Sequence, residues 1–264
     1  MKRGGYPRRY PRFIIGGARV NTAVFDLETN GMSGSSVLSA SSIVFDDRGA
    51  ILGVFNRFYF PLERFNDRLV RVHNLTPARL AALRKHAGRA AYFVEDWQDL
   101  LDFWDTWDVA GVVVHNLRFD ISFLPEISQS AFRWWCSMRG LTAYCAIPKR
   151  HSSGAGAFKW PRLGEAADIV CNGPAALAPS QTAEQIENIV GEGCAHMSLC
   201  DCFELYRIVS RIALHRGELL QFAPFTASYR PPKNYVPMEG IRPRKDSFTA
   251  EVLAYEKKLR SVVQ

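Results

Sequence analysis

The chain has 264 residues, 47% of them hydrophobic and 22% charged, a globular composition that argues against disorder. Six cysteines are too few for a disulfide-stapled secreted scaffold, and the lack of any uninterrupted apolar run of membrane length predicts no membrane partner. Lysines and arginines number 33 against 26 acids, a net charge of +7 that draws a chain toward polyanions, nucleic acid above all.

Residues 1–20 are basic (Lys2, Arg3, Arg8, Arg9, Arg12) and rich in Gly and Pro, and they read as an arm. No apolar stretch follows the charges, so the arm is not read as a secretory signal, and a cytoplasmic protein is expected. Three β runs come next, at 22–27, 37–45 and 50–60. Asp46-Asp47-Arg48-Gly49 between the last two signals a hairpin turn. A short helix is predicted over 77–84 with Thr76 as its cap, and an amphipathic helix over 94–107 with Trp97, Leu100, Leu101 and Trp104 on one side. Val109 to Val114 is a short buried strand; a helix starts near Arg118 and stops by Pro125. Residues 132–138 read as a strand and 163–170 as a helix. The stretch 171–195 reads as an insertion with one helical segment near 182–190. Residues 198–214 form a helix, and 215–264 a Pro-rich basic extension with a terminal helix near 247–261. The expected folded unit is therefore a domain over 21–214, and its mixture of β runs and alternating helices predicts an α/β sheet with an antiparallel hairpin.

Three groups of residues carry chemistry. Asp26 and Glu28 stand two apart at the end of the first strand, so their carboxylates share a face. Two anions that close repel unless a cation joins them, which makes a divalent-metal site a natural reading beside the plain one of solvated strand-end acids. Asp120 falls in the first turn of a helix after His115-Asn116, where its charge also suits the helix dipole. His196 and Asp201 bracket the start of a late helix; on an ideal helix they would diverge by about 140°, so His196 is expected on the preceding loop.

In order, these are Phe25-Asp26-Leu27-Glu28-Thr29-Asn30-Gly31, Val114-His115-Asn116-Leu117-Arg118-Phe119-Asp120, and His196 to Asp201. The set resembles the three motifs of the DnaQ-like (DEDDh) 3′–5′ exonucleases, over about residues 20 to 214. Val72-His73-Asn74-Leu75-Thr76, Trp135-Cys136-Ser137-Met138 and Lys159-Trp160-Pro161-Arg162-Leu163 are weaker matches. Asn30 and Asn74 depart from the usual Thr and Gly, and neither removes a ligand.

The resemblance implies a ribonuclease H-like fold, a mixed five-stranded sheet with helices on both faces. It implies two Mg²⁺ or Mn²⁺ ions held by Asp26, Glu28, Asp120 and Asp201, since hard oxygen ligands suit those ions. His196 would be the general base, a role fitting its ordinary pKa. Leu27 and Thr29 would contact the terminal nucleotide, with His73, His115, Asn116 and Phe119 as further substrate-side residues. Phe119 reads equally well as core, His115 as a loop anchor and His73 as a local structural residue. The implied substrate is the 3′ end of single-stranded nucleic acid, DNA favoured. An RNA-trimming enzyme and a catalytically idle binding or polymerase-associated subunit are the alternatives, and a homodimer or a polymerase or nuclease complex is a possible assembly.

Two competing patterns remain. Cys194, His196, Cys200 and Cys202 could suggest zinc, but the spacing is wrong for zinc and a helix would turn Cys200 and Cys202 about 200° apart. Trp134-Trp135, Trp160 and the basic stretch 149–162 could form an aromatic and cationic path for a single strand; the plainer reading is core packing, expected for one tryptophan of the pair and left open for Trp160.

Overall fold

A computed structural model describes residues 21–32, 34–84, 90–149, 158–190 and 197–225. The basic arm, His196, Cys194 and the expected terminal helix lie outside these residues.

Strands β1 (Asn21–Thr29), β2 (Val37–Phe45) and β3 (Ile51–Phe58) form an antiparallel meander. Helices α1 (Asp67–His73) and α2 (Pro77–Leu83) follow, and the Thr76 hydroxyl caps α2 by accepting from Arg79 N at 3.1 Å. Helix α3 (Trp97–Thr106) leads to β4 (Val109–Val114), which pairs parallel to β1. Then come α4 (Leu117–Asp120), α5 (Glu126–Ala131) and β5 (Arg133–Cys136), which is parallel to β4. Helical turns α6 (Ser137–Gly140) and α7 (Thr142–Cys145) precede α8 (Leu163–Ala167), α9 (Gln181–Val190), α10 (Ser198–His215) and the two-residue β6 (Ala223–Pro224).

The sheet order is β3-β2-β1-β4-β5-β6. Five strands were expected and the sixth is new. Two residues, one a proline, carry no alternation by which a sequence could reveal it, and β6 forms because Phe222 and Ala223 are led back to β5. Arg133 donates two bonds to the Phe222 carbonyl, at 2.6 and 3.1 Å. A Cβ at Gly111 would stand 2.5 Å from the Phe222 ring, so only glycine lets that ring lie on β4. The sequence also gives no hint of α1, which is short and capped by the Asn66 side chain. The strand expected over 132–138 stops at Cys136, and the helix expected over 163–170 gives way after Ala167 to a wide π turn over Asp168–Asn172.

Period-two alternation along β1 feeds two cores. Ala23, Phe25 and Leu27 face α3 and α4, where Trp104 packs edge-to-face on Phe25, Phe132 and Trp134 and donates its indole N–H to Ser42 Oγ at 2.9 Å. Val24 faces the other way, into a cluster with Cys202, Leu205, Tyr206 and Val209 of α10. Helices thus cover both faces. The segment read as an insertion is bound to this body by ions. Arg211, only 4% exposed, forks onto Glu187 of α9 at 2.5 and 3.0 Å, and Arg207 adds a third contact to the same carboxylate at 3.2 Å. Among the described residues, no helix is long and apolar enough to cross a membrane.

Candidate metal centre

Asp26 and Glu28 extend the Val24 row of β1 beyond the apolar core, on the face that α10 covers. Their partners across β2 are Ser41 and Ser39. Small hydroxyl residues there leave room for the first turn of α10. The Ser41 hydroxyl donates to Asn56 Oδ1 at 2.9 Å, so it must accept from Ser198 at 2.7 Å, and Ser198 in turn accepts from Ser39. Cys202 Sγ adds a bond to the Ser41 carbonyl at 3.1 Å. This buried run fixes the start of α10 on β2 and delivers Asp201 to the acids of β1. One oxygen from each of Asp26, Glu28 and Asp201 lies within 4.8 Å of the others, and all three residues are part-exposed.

Asp120 arrives by a different route. After β4 the chain turns through Asn116 in the left-handed region (φ 72°) into α4. The Asp120 side chain is buried, and its Oδ1 accepts from Leu27 N at 3.2 Å. The β1–β4 ladder ends at Phe25↔Val114, so this carboxylate takes up a strand N–H that β4 no longer reaches.

The electrostatics follow from crowding like charges in a half-buried site. Burial pushes the Asp26 carboxyl well above its ordinary range, and Asp120, Asp201 and Glu28 push it further. Burial and then Asp201 raise Glu28 to about 7. Asp120 is likewise raised well above normal, chiefly by burial, although its backbone hydrogen bonds oppose the shift. Among the described residues, no ion pair involves Asp26, Glu28 or Asp120. A set of hard oxygen donors whose like charges repel one another fits a divalent cation.

The other expected site residues divide. Leu27 is buried at the strand end beside the acids, and the Thr29 hydroxyl donates to the Gly31 carbonyl at 2.8 Å. His73 is buried and its Nδ1 accepts from Leu75 N at 3.0 Å; burial lowers its pKa, with the Thr29 backbone opposing the shift. His115 spends both ring nitrogens within the protein. Burial lowers it to about 4, so it is neutral: Nε2–H donates to the Pro161 carbonyl at 3.1 Å and Nδ1 accepts from Ser137 at 2.9 Å. Asn116 supplies the left-handed turn. The Phe119 ring packs edge-on against Phe123 at 5.1 Å, on the border of the β1–α3 core. Sequence reasoning passed over Ser39, Ser41 and Ser198; the signal available was two serines at alternate positions of a strand paired with the acidic one. The zinc pattern finds no support at Cys202, which is buried and turned to the Ser41 carbonyl.

No protein-family model matches the chain, and no curated protein sequence matches it. Solved structures do match. The zinc-bound complex of E. coli exonuclease I with single-stranded DNA aligns with a TM-score of 0.52 at 12% identity, over 76% of this chain and 42% of that one. The fold is ribonuclease H-like. Exonuclease X in complex with 5′-overhanging duplex DNA (TM-score 0.45, 17% identity) is covered to 93% by 74% of this chain. A 3′-exonuclease that recognises the histone mRNA stem-loop (0.47, 11%) is covered to 97% by 84% of it. The chain spans about two fifths of the E. coli exonuclease I chain. Within this ribonuclease H-like fold, Asp26 and Glu28 stand toward the C-terminal end of central strand β1, Asp120 follows the end of its parallel neighbour β4, and α10 brings Asp201 to them.

Proposed function

We propose that the chain is a metal-dependent 3′–5′ exonuclease of the DnaQ-like type, hydrolysing phosphodiesters at the 3′ ends of single-stranded nucleic acid. The observation that carries this reading is the meeting of Asp26, Glu28 and Asp201 from two distant segments, with Asp120 beside them, in a fold shared with exonuclease I. Asp26, Glu28, Asp120 and Asp201 would hold two divalent cations, Mg²⁺ or Mn²⁺. When bound, such ions lower the pKa of water and offset charge developing on a phosphodiester. The protein's own part is to hold the acids together and in register, through the Ser39–Ser198–Ser41 run and the Asp120–Leu27 bond. His196, one residue before the described start of the α10 segment, would take the proton of the attacking water. Leu27 and Thr29, next to the acids, would meet the terminal nucleotide, with His73 setting the Thr29 backbone and His115, Asn116 and Phe119 shaping the adjoining wall.

DNA is the favoured substrate, a preference supported by E. coli exonuclease I, which aligns with a TM-score of 0.52 and was solved with single-stranded DNA. The catalytic unit runs over 21–214, with 215–225 completing the sheet edge. The test follows nucleotide release from 3′-labelled single-stranded DNA and RNA of one sequence in Mg²⁺. Release should stop in EDTA and in Asp26→Ala, and return with Mg²⁺ or Mn²⁺ for the wild type alone; release that persists in Asp26→Ala refutes the site.

A further inference from the structure

The aromatic and basic stretch before α8 sorts itself in the structure. Trp134 and Trp135 are core, 2% and 4% exposed, whereas Trp160 is 56% exposed. A ring that open offers apolar area whose burial against a ligand would be favourable. Phe158, two residues earlier on the segment bridged to Pro148, is 36% exposed. The Arg139 guanidinium sits over the Trp160 ring at 5.4 Å from its centre. Lys149 and Arg162 are exposed nearby in the chain, while Lys159 is matched by Glu165 at 2.5 Å. The surroundings are therefore cationic as well as aromatic.

This surface is tied to the acidic centre. Pro161 accepts the His115 bond, and His115 follows the last residue of β4, the strand that leads into Asp120. Ser137, the other partner of His115, follows β5. With strands about 4.8 Å apart, β5 ends roughly 10 Å across the sheet edge from the acids of β1, a distance of a few nucleotides of single strand. Neutral His115 holds the Trp160 segment along that edge without adding charge of its own.

We propose that Trp160, backed by Arg139, is a stacking platform for a base of the single strand whose 3′ end lies in the acidic centre. Bases of any identity have a π face, so such a platform adds affinity without sequence preference, and the cations beside it take up phosphate charge. The proposal rests on the exonuclease reading for where the strand ends, so its test separates the two. Binding of a fluorescein-labelled single-stranded DNA 12-mer is measured by anisotropy in EDTA for wild type, Trp160→Ala and Trp160→Phe, with thermal melts confirming that each is folded. Wild-type hydrolysis of the p-nitrophenyl ester of thymidine 5′-monophosphate in Mn²⁺ is measured alongside. Trp160→Ala should raise Kd about 10-fold while Trp160→Phe stays within about 3-fold of wild type. Equal Kd for wild type and Trp160→Ala, or a loss in Trp160→Phe as large as in Trp160→Ala, overturns the platform. An inactive wild type that still loses affinity on Trp160→Ala sinks the exonuclease reading and leaves the platform standing.

Discussion

Glu28→Gln removes one negative charge from the acidic cluster and keeps the side chain's shape, so it should stabilise the protein when no metal is present. Burial and Asp201 lift the Glu28 carboxyl from 4.5 to about 7. The folded state therefore prefers the proton, and below about pH 4.5 nothing is lost, since the group is protonated folded or unfolded. Between 4.5 and 7 the unfolded chain gives up the proton first and stability falls; above 7 the full cost is present. That cost is about 3 kcal/mol at 1.36 kcal/mol per pKa unit, and part-exposure reduces it to about 2. In EDTA at pH 8, Glu28→Gln should melt about 5 °C above wild type. At pH 5 the gap should shrink to about 0.5 kcal/mol. His115 acts in the opposite sense, because its lowered pKa penalises the fold as pH drops below 6.5, but this is common to both proteins and cancels in the difference. Adding Mn²⁺ should reverse the order, raising the wild type more than the variant. A variant that melts with or below the wild type in EDTA at pH 8 would refute the picture of frustrated acids.

Two further substitutions test the scaffold. Ser198→Val breaks the hydroxyl run and leaves Ser39 and Ser41 short of a partner; urea unfolding should show a loss of about 2 kcal/mol, and nucleotide release should slow about 10-fold as Asp201 loses its placement. Unchanged release with reduced stability would deny Ser198 its positioning role. Glu187→Gln strips the anion from nearly buried Arg211 and should cost about 3 kcal/mol in the same assay, most of it recovered by pairing Glu187→Leu with Arg211→Met. A double variant as unstable as the single one would show that the ions hold α9 by more than mutual compensation.

Much of this architecture is written locally in the chain. β2 spans Val37–Phe45 and β4 Val109–Val114, as their apolar runs predict, because both strands are buried and bounded by turn residues. Thr76-Pro77 and the 198–214 periodicity likewise locate α2 and α10. What the sequence hides is decided by tertiary partners. β6 exists only because Arg133 and Gly111 receive Phe222. The chain after Ala167 widens into a π turn, with Val170 in the core and its carbonyl accepting from Leu177 N. At the site, the spacing of Asp26 and Glu28 shows that they share a face, and the motifs connect them with Asp120 and Asp201. The three serines that seat α10 on β2 are invisible as a set, because Ser198 lies 157 residues from Ser41 and the bond between them has no local signature.

The proposed cation site is built by acids from β1, α4 and α10, and direct metal binding tests it most plainly. Calorimetric titration of Mn²⁺ at pH 7.5 should show binding to the wild type and at least a 10-fold weaker association for Asp201→Asn, with the fold of the variant intact by circular dichroism. Identical Mn²⁺ affinity in the two proteins would contradict it.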